Sequence, residues 1–169
     1  MKRDFHEDVE LLYRQYYGDV YRYISLIHSI PSDVEDIVQN TFIKAMRGIA
    51  DFRGHSSIRT WLFAIARNES INYSKKKGGD VCIDNRMELT RFINIDEAVC
   101  NKEAADMIFK YMNCCDEPKR SLLALRLIGD KSFVEIGEIL GKSDTWCRVT
   151  FMRAKNEIIS KLEEFDTNE

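Results

Sequence analysis

Two prolines and eight glycines in 169 residues leave little material for turns. That scarcity argues against a turn-rich sheet protein and favours long helices. No apolar run approaches the roughly 18 uninterrupted residues that a membrane-crossing helix requires. Met1 to Glu10 is polar and acidic and lacks the apolar stretch of a signal peptide, so a cytoplasmic, soluble protein is expected. Cysteines number five (Cys82, Cys100, Cys114, Cys115, Cys147), an odd count without a CxxC pair. A disulfide framework or zinc site is therefore not expected, and free thiols in a reducing compartment are the simplest reading. His6, His28 and His55 are scattered, with no metal-ligand spacing. There is no nucleophile–base pairing and no glycine-rich phosphate loop. Neither an enzyme nor a cofactor is expected.

An excess of basic charge is also missing: the net charge is −3. Its distribution is uneven. From Lys44 to Lys77 eight basic residues face two acids, and from Lys142 to Lys161 five face two. Two basic stretches on an acidic chain are the pattern of two separate contacts with a polyanion. Solvated helix faces are the plainer reading of the same charges.

Helical periodicity runs from Phe5 to His28 through Val9, Leu12, Tyr13, Tyr16, Val20, Ile24 and Ile27, with Gly18 as a candidate break. Ile30-Pro31 is expected to end this segment. Ser32 with Glu35 reads as a capping box opening the next helix, which ends near Gly48. Val34, Ile37, Val38, Thr41, Phe42 and Ala45 line one side; Glu35, Asp36, Gln39, Asn40 and Ile43 line the other. A polar loop, Phe52, Arg53, Gly54, His55, Ser56, Ser57, precedes a helix capped by Ser56 or Ser57 and running to about Ser74. Its expected inner stripe is Ile58, Trp61, Leu62, Ile65 and Ala66. Arg59, Thr60, Ala64, Arg67 and Asn68 are expected outside.

Periodicity lapses from Lys75 to Cys100, the signature of a linker, with Lys75-Lys76-Lys77-Gly78-Gly79 as a turn or a flexible start. A second domain begins near Asn101. Ala104, Met107, Ile108 and Tyr111 give one helix. Asp116 is expected to cap another bearing Leu122, Leu123, Leu125, Leu127 and Ile128, before a turn at Gly129-Asp130. Ser132 with Glu135 forms a second capping box, opening a short helix that ends at Leu140-Gly141. Ser143 caps a last helix from Asp144 to about Leu162, with Glu163 to Glu169 fraying. The fold class expected is all-α: two small helical domains, residues 1–76 and 101–169, joined by a linker over 77–100.

Ser132 to Lys155 has the layout of a helix-turn-helix. Ile136, Leu140, Cys147 and Phe151 can pack between its helices, Gly137 suits a close approach, and Gly141 suits a positive φ. Thr145, Trp146, Arg148, Val149, Met152 and Arg153 would project from the second helix. Lys142, Arg148, Arg153 and Lys155 suit phosphates, and the helix N-terminus at Ser143 could donate to one. A helical hairpin in an ordinary bundle remains the alternative. The Phe52–Ser57 loop could receive an unstacked base, although a solvated loop is the simpler reading.

At three places the residues resemble a known family, the extracytoplasmic-function (ECF) sigma factors of bacterial RNA polymerase. Asp33-Val-Glu-Asp-Ile-Val-Gln-Asn-Thr-Phe-Ile-Lys-Ala45 resembles their core-binding helix. Phe52-Arg-Gly-His-Ser-Ser-Ile-Arg-Thr-Trp-Leu-Phe-Ala-Ile-Ala-Arg-Asn68 resembles their promoter-melting segment. Ser132-Phe-Val-Glu-Ile-Gly-Glu-Ile-Leu-Gly141 resembles the opening of their second domain's helix-turn-helix. The resemblance implies binding to core RNA polymerase, on the clamp helices of its largest subunit and the flap of its second-largest. Glu35, Asp36, Gln39, Asn40 and Ile43 would carry the clamp contact. It implies −10 promoter contacts at Phe52, Arg53, Gly54, His55, Ser56, Ser57, Arg59, Arg67, Asn68 and Lys75. It implies −35 contacts at Lys142, Ser143, Thr145, Trp146, Arg148, Val149, Met152, Arg153 and Lys155. Such proteins are commonly restrained by an anti-sigma factor, often membrane-anchored. The sequence departs from the family's habit at Asn40, Ala64, Lys142, Trp146 and Thr150. A one-component regulator using the same helix-turn-helix without polymerase is the competing function.

Overall fold

The computed structural model describes residues 5–78, 102–128 and 131–166. These residues hold seven α-helices and no strand, in two compact units that divide after Val81. The expected all-α class stands. Among the described residues no helix is long and apolar enough to cross a membrane. The linker reading falls almost wholly on residues outside those described, as do Cys82, Cys100 and the Gly129-Asp130 turn.

Unit 1 is built from α1 (Phe5–Ser25), α2 (Pro31–Gly48), a 3-10 turn (Ile49–Asp51) and α3 (Ile58–Lys77). α1 runs unbroken through Gly18, around whose Cα there is open space. The expected break does not occur because a single glycine costs a helix only about 1 kcal/mol, which packing on either side offsets. Val20, Tyr23 and Ile24 are buried against α2 and α3.

α2 corrects a second expectation. It begins at Pro31, one residue before the expected cap, with Ile30 at the N-cap position and no side-chain cap. Proline suits a first helical position because the N–H it lacks has no intrahelical partner there. Ser32 therefore lies inside the first turn. The side of α2 bearing Val34, Ile37, Val38, Thr41, Phe42 and Ala45 is buried, as expected. The Thr41 hydroxyl is satisfied by donating to the Ile37 carbonyl at 2.8 Å.

α3 is rotated from its expected setting. Its buried residues are Thr60, Leu62, Phe63, Ala66 and Ser70, while Ile58, Trp61 and Ile65 are only half-buried. Phe63 is fully buried and meets Tyr23 of α1 edge-on, 5.7 Å between ring centroids. Thr60, expected outside, is buried because Ser57 satisfies its hydroxyl and N–H. α3 also extends through Lys75, Lys76 and Lys77, ending at Gly78 with φ 71°. Three cations in a last helical turn meet the negative end of the helix dipole, so the segment is helix rather than turn.

Asp33, in the first turn of α2, is buried and accepts hydrogen bonds from the Tyr73 hydroxyl at 2.8 Å and the Lys77 ammonium at 2.5 Å. Nearby, buried His28 Nε2 lies 2.7 Å from the Ser70 hydroxyl. Burial pushes the Asp33 carboxyl up. The Lys77 and Tyr73 hydrogen bonds, with the charges of Lys77 and His28, outweigh this and hold it below its ordinary value. A carboxyl depressed in the folded state stabilises the fold above its unfolded pKa of about 4, and that contribution is lost as pH falls through the folded value. Thermal melting from pH 6 down to pH 2 should therefore show a steeper acid loss for the wild type than for Asp33→Asn. Parallel acid losses would show that the carboxylate contributes nothing here.

Unit 2 comprises α4 (Lys102–Asn113), α5 (Lys119–Leu127), α6 (Phe133–Leu140) and α7 (Asp144–Asp166). Its core joins Phe109 and Met112 of α4, Leu122 and Leu125 of α5, Ile136 of α6, and Cys147 and Ala154 of α7. Asp116 does not cap α5 with its side chain: the N-cap position is Pro118, and Asp116 supplies only its carbonyl, to the Arg120 N–H. α7 continues past Leu162 to Asp166, so Glu163 to Asp166 are helical rather than frayed. Cys114, Cys115 and Cys147 are free thiols, and burial pushes Cys115 and Cys147 above their ordinary values. Less thiolate means less reactivity.

Candidate nucleic-acid and polymerase interfaces

The side of α2 opposite its core is left open. Glu35, Asp36, Gln39 and Asn40 are exposed and Ile43 is half-buried. Met46, outside the expected set of face residues, is 45% exposed and continues the same stripe one turn further. Its position seven residues after Gln39 was the available signal. The stripe mixes acids, amides and two apolar side chains.

Between the C-terminal half of α2 and α3 runs a groove of about 650 Å³, lined by Lys44, Gly48, Trp61, Ile65, Asn68 and Lys75, among others. Trp61 lies over Gly48, where a Cβ would stand 3.2 Å from its ring. The Lys44 ammonium pairs with the Glu69 carboxylate, joining the two helices. Positions 61, 65, 68, 72 and 75 fall on one helical stripe, so Asn68 and Lys75 come together with Asn72, which the sequence reading passed over. Four residues after Asn68, Asn72 was legible by spacing alone.

Two other expected contacts are not in this groove. Arg59 turns toward Asp19 of α1, 3.6 Å away, and both it and Arg67 are half-buried off the groove stripe. At the groove's Trp61 end, Phe52 packs on Trp61 with ring centroids 5.2 Å apart. Arg53, Gly54 and His55 stand exposed beyond it, and Gly54 takes φ 71°, a turn that other residues adopt only with strain. Ser56 is half-buried. Ser57 is engaged in capping α3, its hydroxyl accepting from the Thr60 N–H at 3.0 Å.

In unit 2, α6, a three-residue turn and α7 form a compact corner. Ser132 and Glu135 make both capping-box bonds: Ser132 Oγ accepts from the Glu135 N–H at 3.2 Å, and Glu135 Oε2 accepts from the Ser132 N–H at 2.7 Å. Gly141 turns the chain with φ 65°. Lys142 N–H donates to the Gly137 carbonyl at 2.9 Å, and the Lys142 carbonyl presses so close that a Cβ on Gly137 would stand 2.6 Å from it. Gly137 is thus needed against the turn backbone rather than at a crossing of the two helices. Ser143 Oγ caps α7 by accepting from the Trp146 N–H at 3.1 Å.

Thr145, Arg148, Val149, Met152, Arg153 and Lys155 are exposed on α7, with Lys142 and Ser143 exposed in the turn. Trp146, expected to project, is half-buried, with the Lys142 ammonium 5.6 Å above its ring. Arg148 reaches 3.8 Å from Asp144 and stacks its guanidinium 5.3 Å from the Phe133 ring centre. Phe133 in turn contacts Phe151 at 5.6 Å and carries Arg126 at 4.7 Å. No sequence spacing signalled that aromatic–guanidinium cluster.

These geometries have close relatives. Residues 12–79 match the Sigma-70 region 2 family. Over 156 residues, 90% of each protein, the chain is 32% identical to RNA polymerase sigma factor YlaC of Bacillus subtilis. Over 146 residues, 79% of this chain and 76% of the other, it is 30% identical to the ECF RNA polymerase sigma-E factor of Escherichia coli K12. The chain belongs to the ECF family of RNA polymerase sigma factors.

This membership favours the sigma-factor reading over the free-standing regulator. Sigma factors as a family are not enzymes. Two solved structures share the fold. One is CnrH in complex with the cytosolic domain of CnrY, with TM-score 0.70 and 21% identity over 94% of this chain and 90% of that one. The other is the sigma factor RpoE of Bartonella quintana in complex with the anti-sigma factor NepR, with TM-score 0.70 and 19% identity over 93% and 98%.

Proposed function

We propose that this ECF sigma factor directs promoter-specific initiation through three surfaces, with no catalysis of its own. Residues 1–76 act as sigma region 2, residues 77–100 as the connecting linker and residues 101–169 as region 4. Glu35, Asp36, Gln39, Asn40 and Ile43, extended by Met46, dock on the clamp helices of the largest polymerase subunit. The Phe52–Ser57 loop and the groove bearing Asn68 and Lys75 take the melted non-template strand of the −10 element, with Arg59 and Arg67, off the groove stripe, following the strand. The turn and outer face of α7 enter the −35 major groove, and region 4 meets the polymerase flap. The protein works in the cytoplasm, and an anti-sigma factor is its expected restraint.

The observation carrying this reading is that two helices of one unit present different open surfaces. α2 offers an acidic and amide stripe suited to protein, and α3 offers an asparagine- and lysine-lined groove with an aromatic end suited to single-stranded nucleic acid. Purified protein should co-migrate with core polymerase in gel filtration; independent migration would sink the proposal.

The two surfaces should also separate by mutation. Asn68→Ala leaves the α2 stripe untouched. It is expected to retain polymerase binding while slowing open-complex formation about tenfold, the scale of one lost base contact of roughly 1–3 kcal/mol. Permanganate reactivity of unpaired thymines measures the opening. A variant that instead lost polymerase binding would show that the roles had been placed on the wrong helices.

A further inference from the structure

The outer face of α7 carries a stripe that hydrogen bonding does not explain. Val149 is 42% exposed and Met152 47% exposed, and Thr145 stands on the same side one turn before them. At about 100° per residue these three fall within roughly 60° of one another. The opposite side of the helix is core, with Cys147 and Ala154 fully buried. Exposed cations flank the stripe on both edges: Arg148 and Lys155 on one, Arg153 on the other.

An apolar centre with cationic margins matches a duplex major groove, whose walls are phosphates and whose floor is base edges. The floor offers one apolar group, the C5-methyl of thymine. Valine and methionine cannot pair with the donors and acceptors of a G·C edge, and would leave them desolvated and unsatisfied. Val149 and Met152 are three residues apart, so they stand about 4.5 Å apart along the axis, close to the roughly 3.4 Å step between base pairs.

We propose that Val149 and Met152 are specificity-determining residues that read thymine methyl groups at two adjacent base pairs of the upstream promoter element. This rests on the reading of α7 as the −35 recognition helix and deepens it by naming what is read. The cations hold the phosphates and set the register; the choice of base comes from the apolar pair.

The test uses reconstituted holoenzyme and promoter DNA that it selects from a random pool. Each thymine of the protected upstream element is replaced in turn by uracil, which lacks only the methyl. Two adjacent positions should each lose about fourfold in affinity, the effect of withdrawing one buried methyl group. Val149→Ala should bind the thymine and uracil forms alike at one of these positions, and Met152→Ala at the other. Both side chains are exposed, so melting temperatures should match the wild type.

An intact upstream footprint with uracil tolerated throughout overturns the methyl reading while the sigma-factor reading survives. That is also the result expected if the stripe is covered by a protein partner. An undiminished uracil effect in both variants overturns the assignment to these residues. Absence of any upstream protection by the wild-type holoenzyme removes the recognition-helix reading itself.

Discussion

Phe63→Ala is expected to cost unit 1 about 4 kcal/mol, the usual scale for truncating a fully buried phenylalanine. The ring has no exposed surface and meets Tyr23 edge-on, so its removal leaves a cavity where α3 packs on α1. A loss of that size consumes a large share of the 5–15 kcal/mol typical of a whole folded domain. Polymerase binding should fail with it at growth temperature. Trp61→Ala, two residues earlier, should cost about 2 kcal/mol or less, because the indole is half-buried over Gly48 at the groove. That variant should keep polymerase binding and lose promoter opening. Urea unfolding followed by circular dichroism, beside gel filtration with core polymerase, separates the two. A larger stability loss for Trp61→Ala would mean that the tryptophan, not Phe63, sits at the centre of the unit.

Gly137→Val should damage unit 2 about as severely as its core permits, about 3 kcal/mol by overpacking. The obstacle is backbone. The Lys142 carbonyl stands 2.6 Å from where a Cβ would lie, and the Lys142 N–H is tied back to the Gly137 carbonyl, so neither group can swing aside alone. The turn that aims α7 must shift as a whole. Upstream DNA affinity of the holoenzyme should fall about 100-fold, since misplacing the helix loses base and phosphate contacts together. Gly141→Ala makes the milder comparison: nothing lies within 4 Å, and only the positive φ is strained, at about 1 kcal/mol. Amide exchange at Lys142 and footprinting of the upstream element read both effects. Unchanged exchange and an unchanged footprint for Gly137→Val would show that the corner yields easily.

What could be read from sequence followed from how local each cause is. The Ser132–Glu135 box, the Ser143 cap and the Gly141 turn involve residues within a few positions of one another, and all are found where expected. Both faces of α2 were legible because apolar and polar residues alternate there with a single period. α3 misled because Ile58, Trp61, Leu62, Phe63, Ile65 and Ala66 wrap most of its circumference. The choice of inner face was settled by Tyr23, 40 residues away, and by the pairing of Thr60 with Ser57. Ser32 lost its cap to Pro31, two sequence rules competing for one turn. The groove was half legible. Asn68 and Lys75 share the spacing that places them together, while the turning of Arg59 toward Asp19 depends on how α1 lies across α3.

The Asp33 clasp bears on the order in which the protein is made. Its three members span 44 positions, with the carboxylate near the start of α2 and the ammonium in the last turn of α3. On a growing chain the stripe that faces polymerase is complete by Met46, and Asn68 and Lys75 have already been added when Lys77 arrives. Until then the Asp33 carboxylate has only the Tyr73 hydroxyl and the charge of His28 to offset its burial. Lys77 then completes the clasp with an ammonium bonded directly to Asp33. A nascent or truncated chain ending at residue 76 holds both surfaces in sequence yet lacks the cation that completes the clasp between α2 and α3.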